Sequence, residues 1–199
     1  MSAHLENALE FEKRDGCERF GLKGPRGAEW LELRGIALPE APNQWTTAVP
    51  AAAGGGATPS ANANTAAGDE LLVARLGTSE FFLEDVAGEG RLRGLESALD
   101  PPQPGVYPVL REDAAFVLSG PGSYDVLAQV CNVNFADLEL ASQPVIMTLM
   151  IGVAVLIVPQ MVGAWPRFRI WCDPTFGPYL EESLGTVVTE SGGNYRQST

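Results

Sequence analysis

The chain repeats part of itself. Residues 20–31 read FGLKGPRGAEWL and residues 116–127 read FVLSGPGSYDVL, and with no gap Phe20 falls on Phe116, Leu22 on Leu118, Gly24 on Gly120, Pro25 on Pro121 and Leu31 on Leu127. A repeat of this kind restricts the fold, because each copy must build the same local structure and cover the same apolar face. The alternating F-x-L run predicts a short half-buried strand. Gly-Pro then predicts a turn, with the proline at the first position of a helix, where its missing N–H is not needed. That helix carries Leu31 in one copy and Tyr124, Leu127, Val130 and Cys131 in the other, and Gly35 and Asn132 are residue types that stop a helix in the left-handed region.

The stretches after the two copies are also alike. After the first, residues 71–74 and 80–84 read as strands around a Gly77-Thr78-Ser79 turn, and residues 91–99 as a helix through Leu92, Leu95 and Leu99. After the second comes VIMTLMIGVAVLIV at 145–158, bounded by Pro144 and Pro159. Its 14 residues fall short of the roughly 20 a membrane-spanning helix needs. With Gly152 near the middle and many β-branched residues, it predicts two strands and a tight turn at Ile151-Gly152. Residues 167–171 predict another strand. Phe176, Tyr179, Leu180, Leu184, Val187 and Val188 then predict a final helix that runs past Gly185 to Gly192-Gly193. The order strand, helix, strands, helix thus occurs twice, which predicts an α+β protein of duplicated split-βαβ (ferredoxin-like) units, with mostly antiparallel sheet and helices mainly on one face.

The expected organisation is a mobile start at 1–15, a first repeat unit at 16–100, a second at 101–192 and a tail at 193–199. Residues 46–70, an Ala/Gly/Pro/Asn tract without apolar period, are expected to be a flexible insertion in the first unit. Its triple glycine lacks the Gly-Lys-Ser/Thr of a phosphate loop. Hydrophobic residues at 45 % and charged residues at 19 % suit a globular chain, and the net charge of -12 disfavours nucleic acid and anionic membrane surfaces as partners.

Candidate chemistry is sparse. The one histidine, His4, lies in the polar start, which disfavours histidine-based catalysis. Cys17, Cys131 and Cys172 have no metal-ligand spacing, and Cys131 and Cys172 are expected to be buried, inert thiols. Arg111, Glu112 and Asp113 read as a solvated strand entry rather than an acid-base cluster. Asp173, before Pro174, reads as the cap of the last helix. Trp30, Trp45 and Tyr179 read as core or staple residues. No catalytic, cofactor-binding or metal-ligating residues are expected. The candidate surface is a subunit interface at Trp165, Arg167, Arg169 and Trp171: on a strand Arg167, Arg169 and Trp171 share one face while Phe168 and Ile170 share the core face, and Trp and Arg favour interface anchors; a solvated basic strand is the equally open alternative, since alternation is the default of a half-exposed sheet.

Four stretches together carry a family resemblance: GLKGPRGAEWLELRGIALPEAPNQW at 21–45, RLGTSEFFLE at 75–84, GVYPVLREDAAFVLSGPGSYDVLAQVCNVNF at 105–135 and RFRIWCDPTFGPYLEESL at 167–184. They resemble the gamma subunit of heterotetrameric sarcosine oxidase and, more distantly, the folate-binding domain of the glycine-cleavage T-protein. The resemblance implies a T-protein-like fold and a non-catalytic chain docked on the alpha subunit of a complex that also holds beta and delta subunits. In that family FAD, FMN, NAD, zinc and tetrahydrofolate belong to the partner subunits, and the complex oxidises sarcosine to glycine with hydrogen peroxide and methylene-tetrahydrofolate as products. It also implies a cytoplasmic location, in keeping with a start that lacks signal-peptide features. Two alternatives stay open: a stand-alone folate-binding or aminomethyltransferase-like module, and a subunit of a related amine oxidase with another substrate. The first would need a carboxylate in the strand region facing folate, and residues 144–159 contain none.

Overall fold

The computed structural model describes residues 8–48 and 71–196. In chain order the elements are β1 (Glu10–Lys13), β2 (Arg19–Lys23), α1 (Gly27–Glu32), β3 (Gln44–Ala48), β4 (Leu71–Gly77), β5 (Glu80–Asp85), β6 (Tyr107–Val109), β7 (Ala114–Ser119), α2 (Ser123–Val130), β8 (Ile146–Met150), β9 (Val153–Val162), β10 (Trp165–Cys172), α3 (Gly177–Glu190) and β11 (Asn194–Arg196). The chain forms two units, one of Gly16–Arg111 and one of Met1–Asp15 with Glu112–Thr199. Both are α+β, and every described strand pair but one is antiparallel.

In the Gly16–Arg111 unit the sheet order is β3-β4-β5-β2-β6. Phe20 and Leu22 of β2 and Phe81 and Leu83 of β5 point to one face, where Trp30 and Leu31 of α1 close the core. Phe20 and Trp30 stack with ring centroids 6.3 Å apart. Residues 91–99, predicted to be helical, instead form turns ending in a 3-10 turn at Ser97–Leu99. Gly90 and Gly94 adopt φ of 77° and 93°, so the backbone cannot hold a helical run there, yet Leu92 and Leu99 are still buried in the core. Residues 46–48, assigned to the insertion from sequence, belong to β3, with Ala48 buried opposite Leu71. The rest of the insertion, like His4, lies outside the described residues.

The other unit has the order β11-β1-β7-β10-β9-β8, with β1 and β11 parallel. Phe11, Phe116, Leu118, Phe168 and Ile170 line the face covered by α2 and α3, whose Val126, Leu127, Leu180 and Leu184 complete the core. The predicted hairpin is present: β8 and β9 are joined at Ile151 (φ 49°) and Gly152 (φ 83°), the paired positive angles of a tight two-residue turn. Two short strands fall where the sequence offers no period. Residues 10–13, within the expected mobile start, are β1, and residues 194–196, within the expected tail, are β11. Phe11, held between the Phe116 and Tyr195 rings at 5.6 and 5.5 Å, ties both into the sheet.

The duplication is therefore structural. In each unit the first strand, helix and next three strands assemble with the first strand beside the fourth: β2 beside β5, β7 beside β10. On its other side, each first strand takes a neighbour from the stretch leading into the other copy: β6 on β2, β1 on β7. The repeated glycines permit this. A Cβ on Gly24 (φ 124°) would lie 2.3 Å from the Gly105 carbonyl oxygen, and one on Gly120 (φ 95°) 2.1 Å from that of Ala8. The prolines do not open the helices as predicted. Each sits second in a turn, closed by Gly27 N–H to Gly24 C=O at 2.9 Å and Ser123 N–H to Gly120 C=O at 3.3 Å, and the helix starts two residues after the proline. Gly35 is left-handed as expected (φ 73°), whereas α2 stops because Cys131 turns extended and bridges Met150.

Candidate interaction surface

The second face of the six-stranded sheet, opposite α2 and α3, is set by register. Arg169 stands opposite Val117 and Val158, Arg167 opposite Ser119 and Gln160, and Trp171 opposite Ala115 and Leu156. The predicted alternation on β10 is thus present, with Phe168 and Ile170 fully buried on the core face. Burial on the second face is uneven. Trp171 is only 1 % exposed and Arg169 is also buried, so these two lie inside the folded chain. Arg169 Nε donates to Gln160 Oε1 at 3.3 Å. Arg167 is half-buried, and desolvation pushes its guanidinium pKa down from its ordinary value, a shift Glu12 opposes and Arg14 adds to. Of the four predicted interface residues, Trp165 alone stands exposed.

The exposed apolar residues of this sheet lie at its ends. Met147 and Leu149 on β8 are 55 % and 59 % exposed, and Met161 and Val162 at the end of β9 are exposed beside Trp165. All sit in residues 140–166, which contain no charged residue. Met161 and Val162 escape a reading of the sequence because they close an apolar strand; only the break in cover where β9 outruns β8 tells them from core.

The other candidate residues make contacts within the chain. Asp173 caps the approach to α3 by accepting from Thr175 N–H at 2.9 Å; the hydrogen bonds from Thr175 hold its carboxyl below the usual range. Cys172 is buried, and desolvation, helped by Asp113 and Asp173, pushes its thiol up to about 11. Cys131 is half-buried, its Sγ 3.9 Å from Thr148 Oγ1. Arg111 does not read as solvated: it lies over the Phe82 ring at 4.7 Å, in the manner of a cation-π contact. Trp30 is core, whereas Tyr179 is exposed and donates to the Ile151 carbonyl at 3.3 Å, clasping the β8–β9 turn. Among the described residues no group of three or more His, Cys, Asp or Glu is placed to hold a metal ion, and no helix is long and apolar enough to cross a membrane. The β8–β9 hairpin does not fit a folate-type ligand that must be held by a carboxylate there: its polar side chains are Thr148, against Cys131, and Gln160, which accepts from Arg169.

Two α+β units of this topology define the T-protein type of fold. The glycine cleavage system aminomethyltransferase T from Bartonella henselae superposes with a TM-score of 0.67 at 18 % identity, over 96 % of this chain and 48 % of that one. The heterotetrameric sarcosine oxidase from Corynebacterium sp. U-96, solved with pyrrole 2-carboxylate, contains a chain that superposes with a TM-score of 0.65 at 21 % identity, over 95 % of this chain and 88 % of that one. These are the proteins the sequence resemblance points to. The chain spans about half of the aminomethyltransferase. No family model matches the sequence, and no curated protein sequence matches it.

Proposed function

We propose that this chain is a non-catalytic accessory subunit, of gamma type, in a heterotetrameric sarcosine oxidase, docked on the flavin-bearing alpha subunit of a cytoplasmic complex. The observation that supports this best is one of extent. The same fold accounts for 88 % of a chain in the Corynebacterium complex but only 48 % of the aminomethyltransferase, so the correspondence is with nearly a whole chain of an assembly. In this assignment FAD, FMN, NAD, zinc and tetrahydrofolate are held by the alpha, beta and delta partners, and the assembled complex yields glycine, hydrogen peroxide and methylene-tetrahydrofolate. Co-expression with the flavin-bearing subunits tests it: the chain should co-elute with them, and sarcosine should give peroxide from the complex but not from the chain alone. Separate elution would overturn the assignment. Peroxide from another secondary amine, but not from sarcosine, would place the chain in a related amine oxidase.

The aminomethyltransferase likeness supports a second reading, a stand-alone folate-binding module. It requires tetrahydrofolate to bind the isolated chain, and calorimetry at millimolar ligand without heat of binding would remove it.

A further inference from the structure

One rung of the six-stranded sheet carries hydrogen-bond donors without acceptors for them. Ser119 on β7, Arg167 on β10 and Gln160 on β9 stand opposite one another in register on the second face, and all three are half-buried. Side chains so placed on adjacent strands are about 5 Å apart. Among the described residues every other Lys and Arg side chain has a hydrogen bond, an ion pair or a ring contact. The Arg167 guanidinium has none of these among the described residues. The Gln160 side chain accepts from Arg169 through Oε1, and neither its amide nitrogen nor the Ser119 hydroxyl donates to any described residue. The carboxylates at this end of the face, Glu10 and Glu12, lie on β1 beyond β7, where Arg196 and Arg14 hold them. Two strand spacings, about 10 Å, separate β1 from β10. Keeping a partly desolvated charge without a counter-charge is costly. Burial accordingly pushes the Arg167 pKa down, with Glu12 opposing the shift and Arg14 adding to it.

We propose that Ser119, Arg167 and Gln160 form a binding site for a single carboxylate group. The planar guanidinium fork matches the two oxygens of a carboxylate, and the hydroxyl and amide on either side supply further O–H and N–H donors to the remaining lone pairs. A dianion such as sulfate is disfavoured, because Glu10 and Glu12 on the same face and a net charge of -12 oppose a second negative charge. The chemistry is the same whether the carboxylate belongs to a free acid or to an Asp or Glu side chain of another polypeptide. The site needs nothing from the accessory-subunit assignment and stands or falls on its own measurement.

The test titrates the full chain with acetate against chloride at constant pH and ionic strength, following the arginine Nε–H signals by nuclear magnetic resonance. The Arg167 signal, assigned by its loss in Arg167→Gln, should shift and saturate, while that of the exposed Arg93 should drift without saturating. Sulfate should bind at least tenfold more weakly than acetate. Gln160→Glu places a carboxylate opposite Arg167 and still offers Arg169 an acceptor, so it should raise the Tm and abolish the acetate response. An Arg167 signal that merely follows Arg93, sulfate binding tighter than acetate, or a full acetate response in folded Gln160→Glu would each overturn the site. Association with the flavin-bearing subunits separates the two sources. If the carboxylate is a side chain of a docked polypeptide, acetate competes with association and Arg167→Gln weakens it at least tenfold; if it is a free acid, association is unchanged in both.

Discussion

At the scale of single residues, the repeated glycines carry the most information. Gly24 and Gly120 are legible as a pair from sequence, but only as turn residues; that each lies against the backbone of a distant stretch of chain cannot be read from local spacing. A methyl group at either position must both adopt a left-handed backbone and displace a carbonyl 2.1–2.3 Å away. Gly24→Ala and Gly120→Ala should each destabilise by more than the ~1 kcal/mol typical of an unfavourable φ, read as a fall in denaturation midpoint. Gly152→Ala, with open space around its Cβ, should show the φ cost alone. Cys172 gives a second test. Its thiol is raised from an ordinary value of 9.0 to about 11, so the folded state holds the proton more tightly than the unfolded one. The associated stability is full below pH 9 and is lost as pH rises toward 11. A thiol reagent at about pH 8 should label Cys17 and Cys131 in the native chain and Cys172 only in denaturant.

At the scale of elements, sequence period succeeds where one face of a strand or helix meets a core and fails where few residues make the element. The β8–β9 hairpin, the β4–β5 hairpin, β10 and α3 are legible because alternation or a helical stripe extends over several residues. The short strands β1, β6 and β11 are not, since three or four residues do not establish a period and pairing with distant partners decides their state. The predicted helix at 91–99 fails for the opposite reason: its leucines Leu92 and Leu99 are buried as a helix would bury them, but two left-handed glycines set the backbone. The interface candidates show the same limit. Alternation correctly puts Arg167, Arg169 and Trp171 on one face, and nothing in it can tell that Arg169 and Trp171 are buried. Charge pairs across strands are likewise invisible. Arg19 on β2 stands opposite Glu84 on β5, with Nε to Oε2 at 2.8 Å and both side chains buried. Arg19→Met should leave the carboxylate without this partner at a cost of about 3–5 kcal/mol, a fall in Tm of roughly 6–20 °C for a chain of this size. Arg19→Met/Glu84→Leu should recover most of that loss if the stranded charge is its cause.

At the scale of the whole molecule, the exchange of leading strands means that the repeat unit and the folding unit are not the same piece of chain. Gly16–Arg111 is continuous and contains every strand of its sheet, whereas the other unit needs β1 from the start of the chain. β1 lies between β7 and β11, and Phe11 is fully buried there, so its removal uncovers β7, leaves β11 with no strand to pair with and opens the core at one end. Loss of a buried phenylalanine side chain alone is worth about 3–5 kcal/mol. A fragment of residues 112–199 should accordingly be unfolded or loosely packed by near-ultraviolet circular dichroism and amide exchange. Adding a synthetic peptide of residues 8–15 should restore cooperative unfolding, with a midpoint that rises with peptide concentration as mass action requires. The same peptide with Phe11→Ala should not restore it, and a fragment of residues 16–111 should show no response to either peptide. Cooperative folding of residues 112–199 without peptide would mean that the strand exchange is a packing detail; dependence on the peptide would show that β1, which the sequence presents only as part of a mobile start, is required to complete the second repeat.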